Sequence, residues 1–174
     1  MSGQPGTVHP YELPQGEASG GVIPRAADPT IPRQQQATDG PKETLTVPLQ
    51  RGSAVLPVVT LPLSVPVLNA KSFRIAPKLA DHPQGAVVTS DPYAAEAQRI
   101  VTELVRSEHR HAGDLKESLK DGQDQPGVIT REGVLVNANT RCVLIRELAA
   151  EGDLRAQAIR VAVLPSDVLE SRVA

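Results

Sequence analysis

The chain has 174 residues, 40 % of them hydrophobic and 2 % aromatic, so any core must be built from Val, Leu, Ile and Ala. Its single cysteine, Cys142, excludes an intramolecular disulfide and a cysteine-built zinc cluster. The formal net charge is −2, with 14 basic and 15 acidic residues from Ser53 onward, which argues against an autonomous duplex-DNA-binding domain, since these use Lys and Arg to neutralise phosphates. There is no apolar run of about 18 residues, so no membrane span is expected. Met1 to Pro10 lacks the basic-then-apolar order of a secretion signal. A lone thiol fits a reducing compartment, and a soluble cytoplasmic protein is the expectation.

Eleven of the 16 prolines precede Val67, and residues 1–52 show no sustained apolar period. Such a segment buries too little surface to offset an ordering entropy of about 1–2 kcal/mol per residue, so residues 1–52 are expected to be a disordered tail rich in Pro, Gly and Gln. A docking segment that folds on a partner is the functional alternative. Residues 53–174 are expected to form the folded domain. The run Val55 to Leu61 is apolar and β-branched and reads as a strand, which Pro57 and Pro62 restrict to an edge or a strand end. Asn69 then leads into a loop holding Phe73, Arg74 and Ile75.

A helix is expected from Tyr93 to about Ser107, capped by Asp91, with Ala97, Ile100, Val101, Leu104 and Val105 on one buried stripe. A shorter helix covers Leu115 to Lys120, with Asp114 and Glu117 as a capping box and Gly122 past its end. Two β segments follow, 128–130 and 134–136, joined by a three-residue hairpin turn in which Gly133 takes positive φ. A third helix starts near Asn139 or Thr140 and reaches Ala150, with Gly152 beyond it. The strand Ile159 to Leu164 stops at Pro165, and Ser166 caps one more turn.

The junction at 137–141 carries the chemistry. Asn137, Asn139 and Thr140 lie where a strand hands over to a helix, and the first amides of a helix have no internal partners. The dipole adds about half a positive charge there, so an oxyanion binds readily. Arg141 in the first turn offers a planar fork of donors suited to phosphate, although without an anion its charge opposes the dipole. The alternative is an ion pair between Arg141 and Glu132, with Asn139 or Thr140 acting only as a cap.

The stretch from Asp114 to Thr130 resembles the amino-terminal domain of ParB proteins, which places a short amphipathic helix, a glycine, Gln-Pro and a strand at this spacing. Here these are Gly122, Gln125, Pro126 and Val128. The continuation from Gly133 to Leu148 resembles the next block of that family, in which a hairpin strand delivers a Gly-Glu-Arg-Arg motif onto a helix start. The strand from Ile159 to Pro165 resembles the block that closes the unit, and Leu61 to Arg74 more loosely resembles its opening. The resemblance implies an α+β fold of the ParB/sulfiredoxin type, a mixed sheet with three to four helices. It also implies a nucleotide- or phosphate-binding module of regulatory or partition type. The site residues it implies are Arg141, Thr140, Asn139, Asn137, Gln125 and Arg74, with CTP or another nucleotide, together with Mg²⁺, as the candidate cofactor. Against the family motif this chain has Ala138, Asn139, Thr140 and Arg141, which keeps the last arginine alone, and Val143 stands where a further basic residue is common. In sulfiredoxins the catalytic cysteine would fall at Asn139, so sulfinic-acid reduction is not expected. The family's helix-turn-helix domain is not expected within these residues, so DNA association is expected only through a partner, an oligomer or a domain of a longer chain; a homodimer is a further candidate.

Other candidate residues have plainer readings. His109 and His111 read as solvated loop histidines, because residues two apart on a helix do not face each other. Cys142 is either a nucleophile beside Arg141 or a core thiol, and no histidine shares its motif. Asp121, Asp124 and Glu132 would be the carboxylates of a metal-dependent nuclease, or simply solvated acids. Phe73 and Tyr93 are too few for a single-strand-binding platform. The enzymatic readings left open are a weak nucleotide triphosphatase and that nuclease; an interaction module with a decayed site is the non-enzymatic alternative.

Overall fold

The structure, a computed structural model, describes residues 29–37, 43–50 and 52–165. In chain order these form α1 Thr30–Ala37, β1 Thr44–Leu49, β2 Gly52–Pro62, α2 Ala76–Ala80, α3 Gly85–Ser90, α4 Ala95–Glu108, α5 Ala112–Lys120, β3 Gly127–Ile129, α6 Asn139–Ala150 and β4 Ala158–Val163. The strands make one sheet in the order β1-β2-β4-β3. β2 is antiparallel to both of its neighbours, and β3 runs parallel to β4, so the sheet is mixed and the fold is α+β. A parallel pair cannot be joined by a hairpin, and here α6 supplies the crossover.

Alternation along the strands explains the two-sided core. Val59, Leu61, Ile129, Ile159, Val161 and Val163 point to the face covered by helices, where they meet the α4 stripe and Val143, Leu144 and Leu148 of α6. Leu56, Val58, Val128, Ala162 and Leu164 point the other way and close a smaller cluster with Val47 of β1. β4 is buried on both faces, which is why its sequence is nearly continuous in apolar residues.

Of the two placements its prolines allow, an edge or a strand end, β2 takes the second at Pro62 and is not an edge strand of the sheet. It pairs with β1 over Gly52–Pro57 and with β4 over Val58–Pro62. Val58 N donates toward β1, to Glu43 O at 2.8 Å, so the Pro57 nitrogen faces the other side, where β4 pairing has not begun. A missing donor costs nothing at that changeover, and Pro62 closes the strand.

Ordered structure begins well before Ser53. α1 and β1 lie within the stretch expected as a tail. Ile31 of α1 is fully buried against Val59 and Leu61, and β1 pairs along its whole length with β2. One isoleucine anchor leaves no period to read in Thr30–Ala37, and β1 alternates threonine and proline against Leu45, Val47 and Leu49. The rest of that expected tail, residues 1–28, 38–42 and 51, and the turn expected at Ser166 lie outside the described residues.

The described residues hold six helices where three to four were expected. The additional ones include α2 and α3, five and six residues long, too short to show a helical period. α4 begins at Ala95, two residues later than expected: Asp91 Oδ1 accepts from Tyr93 N at 3.0 Å, which makes a turn ahead of the helix. α5 begins at Ala112, so Asp114 sits inside its first turn and the expected capping box does not form; no side chain caps this helix. The hairpin forms with Gly133 at φ 84°, but its second arm makes only isolated bridges, Val67 with Val134 and Ile129 with Leu135. Gly122 and Gly152 take the expected positive φ.

Candidate functional site

Four side chains fix the scaffold of the site by substituting for strand pairing. Between β2 and α2 the chain runs without a ladder, and its backbone groups are met individually. Arg146 of α6 donates to Leu63 O at 2.9 Å and also to Pro66 O. Gln98 of α4 binds both backbone groups of Leu68, at 2.9 and 3.1 Å. Asn139 does the same for Asn69, accepting from its amide and donating to its carbonyl at 3.0 Å each. Asn69 is itself buried, and its Oδ1 accepts from Lys71 N at 2.8 Å. Asn137 Oδ1 accepts from Val128 N at 2.8 Å, which ties the turn before α6 to β3.

The turn itself is unusual. Ala138 adopts φ 72° and ψ 17°, the one non-glycine residue with positive φ among the described residues. That conformation costs about 1–2 kcal/mol for an L-residue and persists because both sides are pinned. Gly127 lets it approach β3: a Cβ there would lie 2.8 Å from Ala138 Cβ. The first α6 bond runs from Cys142 N to Ala138 O at 2.9 Å, and no side chain caps the helix, so the amides of 139–141 have no intrahelical partner. A left-handed residue followed by helical ones turns successive amides toward one concavity, an arrangement suited to anions.

Arg141 reaches back from that first turn. Its Nη1 donates to Gln125 O and lies 3.4 Å from Pro126 O. The ion pair with Glu132 expected as the alternative does not form, and Arg141 makes no ion pair among the described residues. Burial pushes its guanidinium down from the ordinary value, but a guanidinium stays charged at neutral pH.

All six expected site residues, Arg141, Thr140, Asn139, Asn137, Gln125 and Arg74, line a single cleft of about 1240 Å³. Their roles divide. Asn137 and Asn139 commit side-chain atoms to the backbone and build the wall, whereas Arg74 and Gln125 are exposed at the cleft surface. The cleft also takes in Lys71 and Phe73, whose contribution depends on loop geometry that the sequence does not reveal. His109 lines it too and is half-buried, with a buried Nδ1 that has no hydrogen-bond partner, so it is not the solvated loop histidine expected. His109 follows the last residue of α4, Glu108, with extended backbone. His111 remains exposed, 3.6 Å from Asp114. Lys71, Arg74 and Arg141 face Glu108 and Asp124 in this cleft, and Glu108 is already paired with Lys78. The balance favours an anion.

Cys142 is buried beneath the turn, and burial pushes its thiol up, against a smaller opposing effect of Arg146. It is a packing thiol rather than a nucleophile. Asp121, Asp124 and Glu132 do not converge: among the described residues no group of three or more His, Cys, Asp or Glu could hold a metal ion. No helix among them is long and apolar enough to cross a membrane. No family model, curated protein or solved structure matches the chain.

Proposed function

We propose that this protein is a ParB-like module of regulatory or partition type that binds the phosphate of a nucleotide or related ligand at the start of α6. DNA association would come through a partner or a further domain. The observation that carries the reading is Arg141: a half-buried guanidinium with no carboxylate partner among the described residues, one residue past two uncapped helix amides and beside the left-handed turn at Ala138. Its Nη1 rests on the carbonyls of Gln125 and Pro126, which orients the fork without neutralising it. Thr140 adds a hydroxyl at the same edge, and Arg74 and Lys71 add charge across the cleft. The ordered Gln-Pro-strand, hairpin and helix start, from Gln125 to Arg141, is the segment that resembles the family.

Calorimetry of the full chain with CTP, ATP and inorganic phosphate, with and without Mg²⁺, tests the reading. Saturable binding is expected with at least one of them, weakened tenfold or more in Arg141→Ala. Equal binding by that variant, or no binding of any of the three, would overturn it.

A further inference from the structure

Two features of the cleft go unexplained by an oxyanion alone. The first is size: about 1240 Å³ exceeds the roughly 300–1000 Å³ that holds a whole small molecule, and far exceeds what a phosphate fills. The second is Phe73. It is the sole phenylalanine of a chain that is 2 % aromatic, and it lies 82 % exposed on the cleft wall although the protein has a core to bury it in. Ligand clefts are characteristically lined by aromatic and apolar side chains beside a few convergent polar groups, and Phe73 is the aromatic member of this lining. The guanidinium of Arg74 lies over the ring, 5.7 Å from its centroid. With a cation on one face and most of its area in solvent, the ring leaves its other face open.

This aromatic rim is held to the cationic end. Asn139 grips both backbone groups of Asn69, and Asn69 in turn holds Lys71 N, so the loop carrying Phe73 is anchored to the helix turn that carries Arg141. The site therefore has two poles at a fixed separation, one of donors and positive charge and one of exposed π surface.

We infer that the ligand carries a planar aromatic ring as well as an oxyanion, and that Phe73 is the platform on which the ring stacks, backed by Arg74. The inference rests on the anion site proposed above and adds a specificity-determining residue to it. Stacking tolerates any flat ring, so purine and pyrimidine nucleotides should both engage it, with preference between them set by other contacts. A ligand lacking a ring, such as pyrophosphate, would use only the cationic pole.

The chain contains no tryptophan, so Phe73→Trp places a single reporter at the rim. Titration of that variant with CTP and ATP should quench its fluorescence to saturation, whereas pyrophosphate should bind without quenching. In calorimetry, Phe73→Ala should weaken nucleotide binding about tenfold and leave pyrophosphate unchanged. Because the side chain is exposed, neither variant disturbs folding. Nucleotide binding without quenching, or an equal loss of nucleotide and pyrophosphate affinity in Phe73→Ala, would overturn the inference. So would failure of every nucleotide to bind. Loss of the anion site reads out differently: Arg141→Ala binding pyrophosphate normally refutes that site, while ring-dependent quenching would still support Phe73.

Discussion

Arg141 and Arg146 leave the same helix five residues apart and serve opposite ends. Arg146 points into the molecule and donates to the carbonyls of Leu63 and Pro66, which lie in a connection that makes one isolated bridge, at Val67, and no ladder. It takes the place of a missing ladder. Arg141 also meets backbone carbonyls, but through Nη1 alone and at the wall of an open cleft. The middle of α6 is buried through Cys142, Val143, Leu144, Ile145 and Leu148, whereas the first turn is half-exposed and uncapped. One helix thus divides into a buried middle and an open first turn, and the same residue type takes its contacts from what surrounds it.

Breaking the buried middle should have the largest effect. Leu144→Ala is expected to destabilise the fold by about 2–5 kcal/mol, the range for removing a fully buried leucine, as measured by urea denaturation. Arg146→Ala should cost about 1–3 kcal/mol by stranding the carbonyls it meets. Arg141→Ala should leave the denaturation midpoint nearly unchanged; a loss as large as that of Arg146→Ala would erase the distinction between the two arginines. Asn139→Ala sharpens the comparison, because its side chain belongs to the wall. It should cost about 1–2 kcal/mol and free the Asn69 loop, seen as faster amide exchange at Asn69 and Lys71.

Cys142 gives the smallest effect. A thiol whose pKa is raised by folding stabilises the protein fully below the ordinary thiol range, and that contribution is lost as pH rises through the folded value. Stability should therefore decline under alkaline conditions, and Cys142→Ser should flatten that decline. Alkylation of the native thiol at neutral pH should be negligible until the chain is unfolded.

The sequence made α4, α6 and β4 legible because each carries its own period: a stripe from Ala97 to Val105, an apolar side around Leu144 and Leu148, and a run from Ile159 to Val163. α1 and β1 escaped notice because their stability is borrowed. A lone isoleucine and a proline-bearing strand mean little until β2 lies beside them. The cleft was legible in its membership, since strand-to-helix junctions bring their own residues together, and less so in its division of labour. An asparagine near a helix start can cap, bind a ligand or imitate a strand neighbour, and composition does not choose among these. Asn137 and Asn139 took the last role. Ala138 gave no warning, because nothing about an alanine announces positive φ.

The changeover at Pro57 has a consequence for how the protein opens. Among the described residues β1 has a single neighbour, and the amino-terminal half of β2 pairs with β1 alone. The hairpin 44–57 can therefore detach while β2 and β4 remain zipped from Val58 onward, a local opening well below global unfolding. Hydrogen exchange should register this as a step within one continuous strand, with amides of Gly52–Leu56 protected only weakly and those beyond Val58 protected to the limit set by the whole molecule.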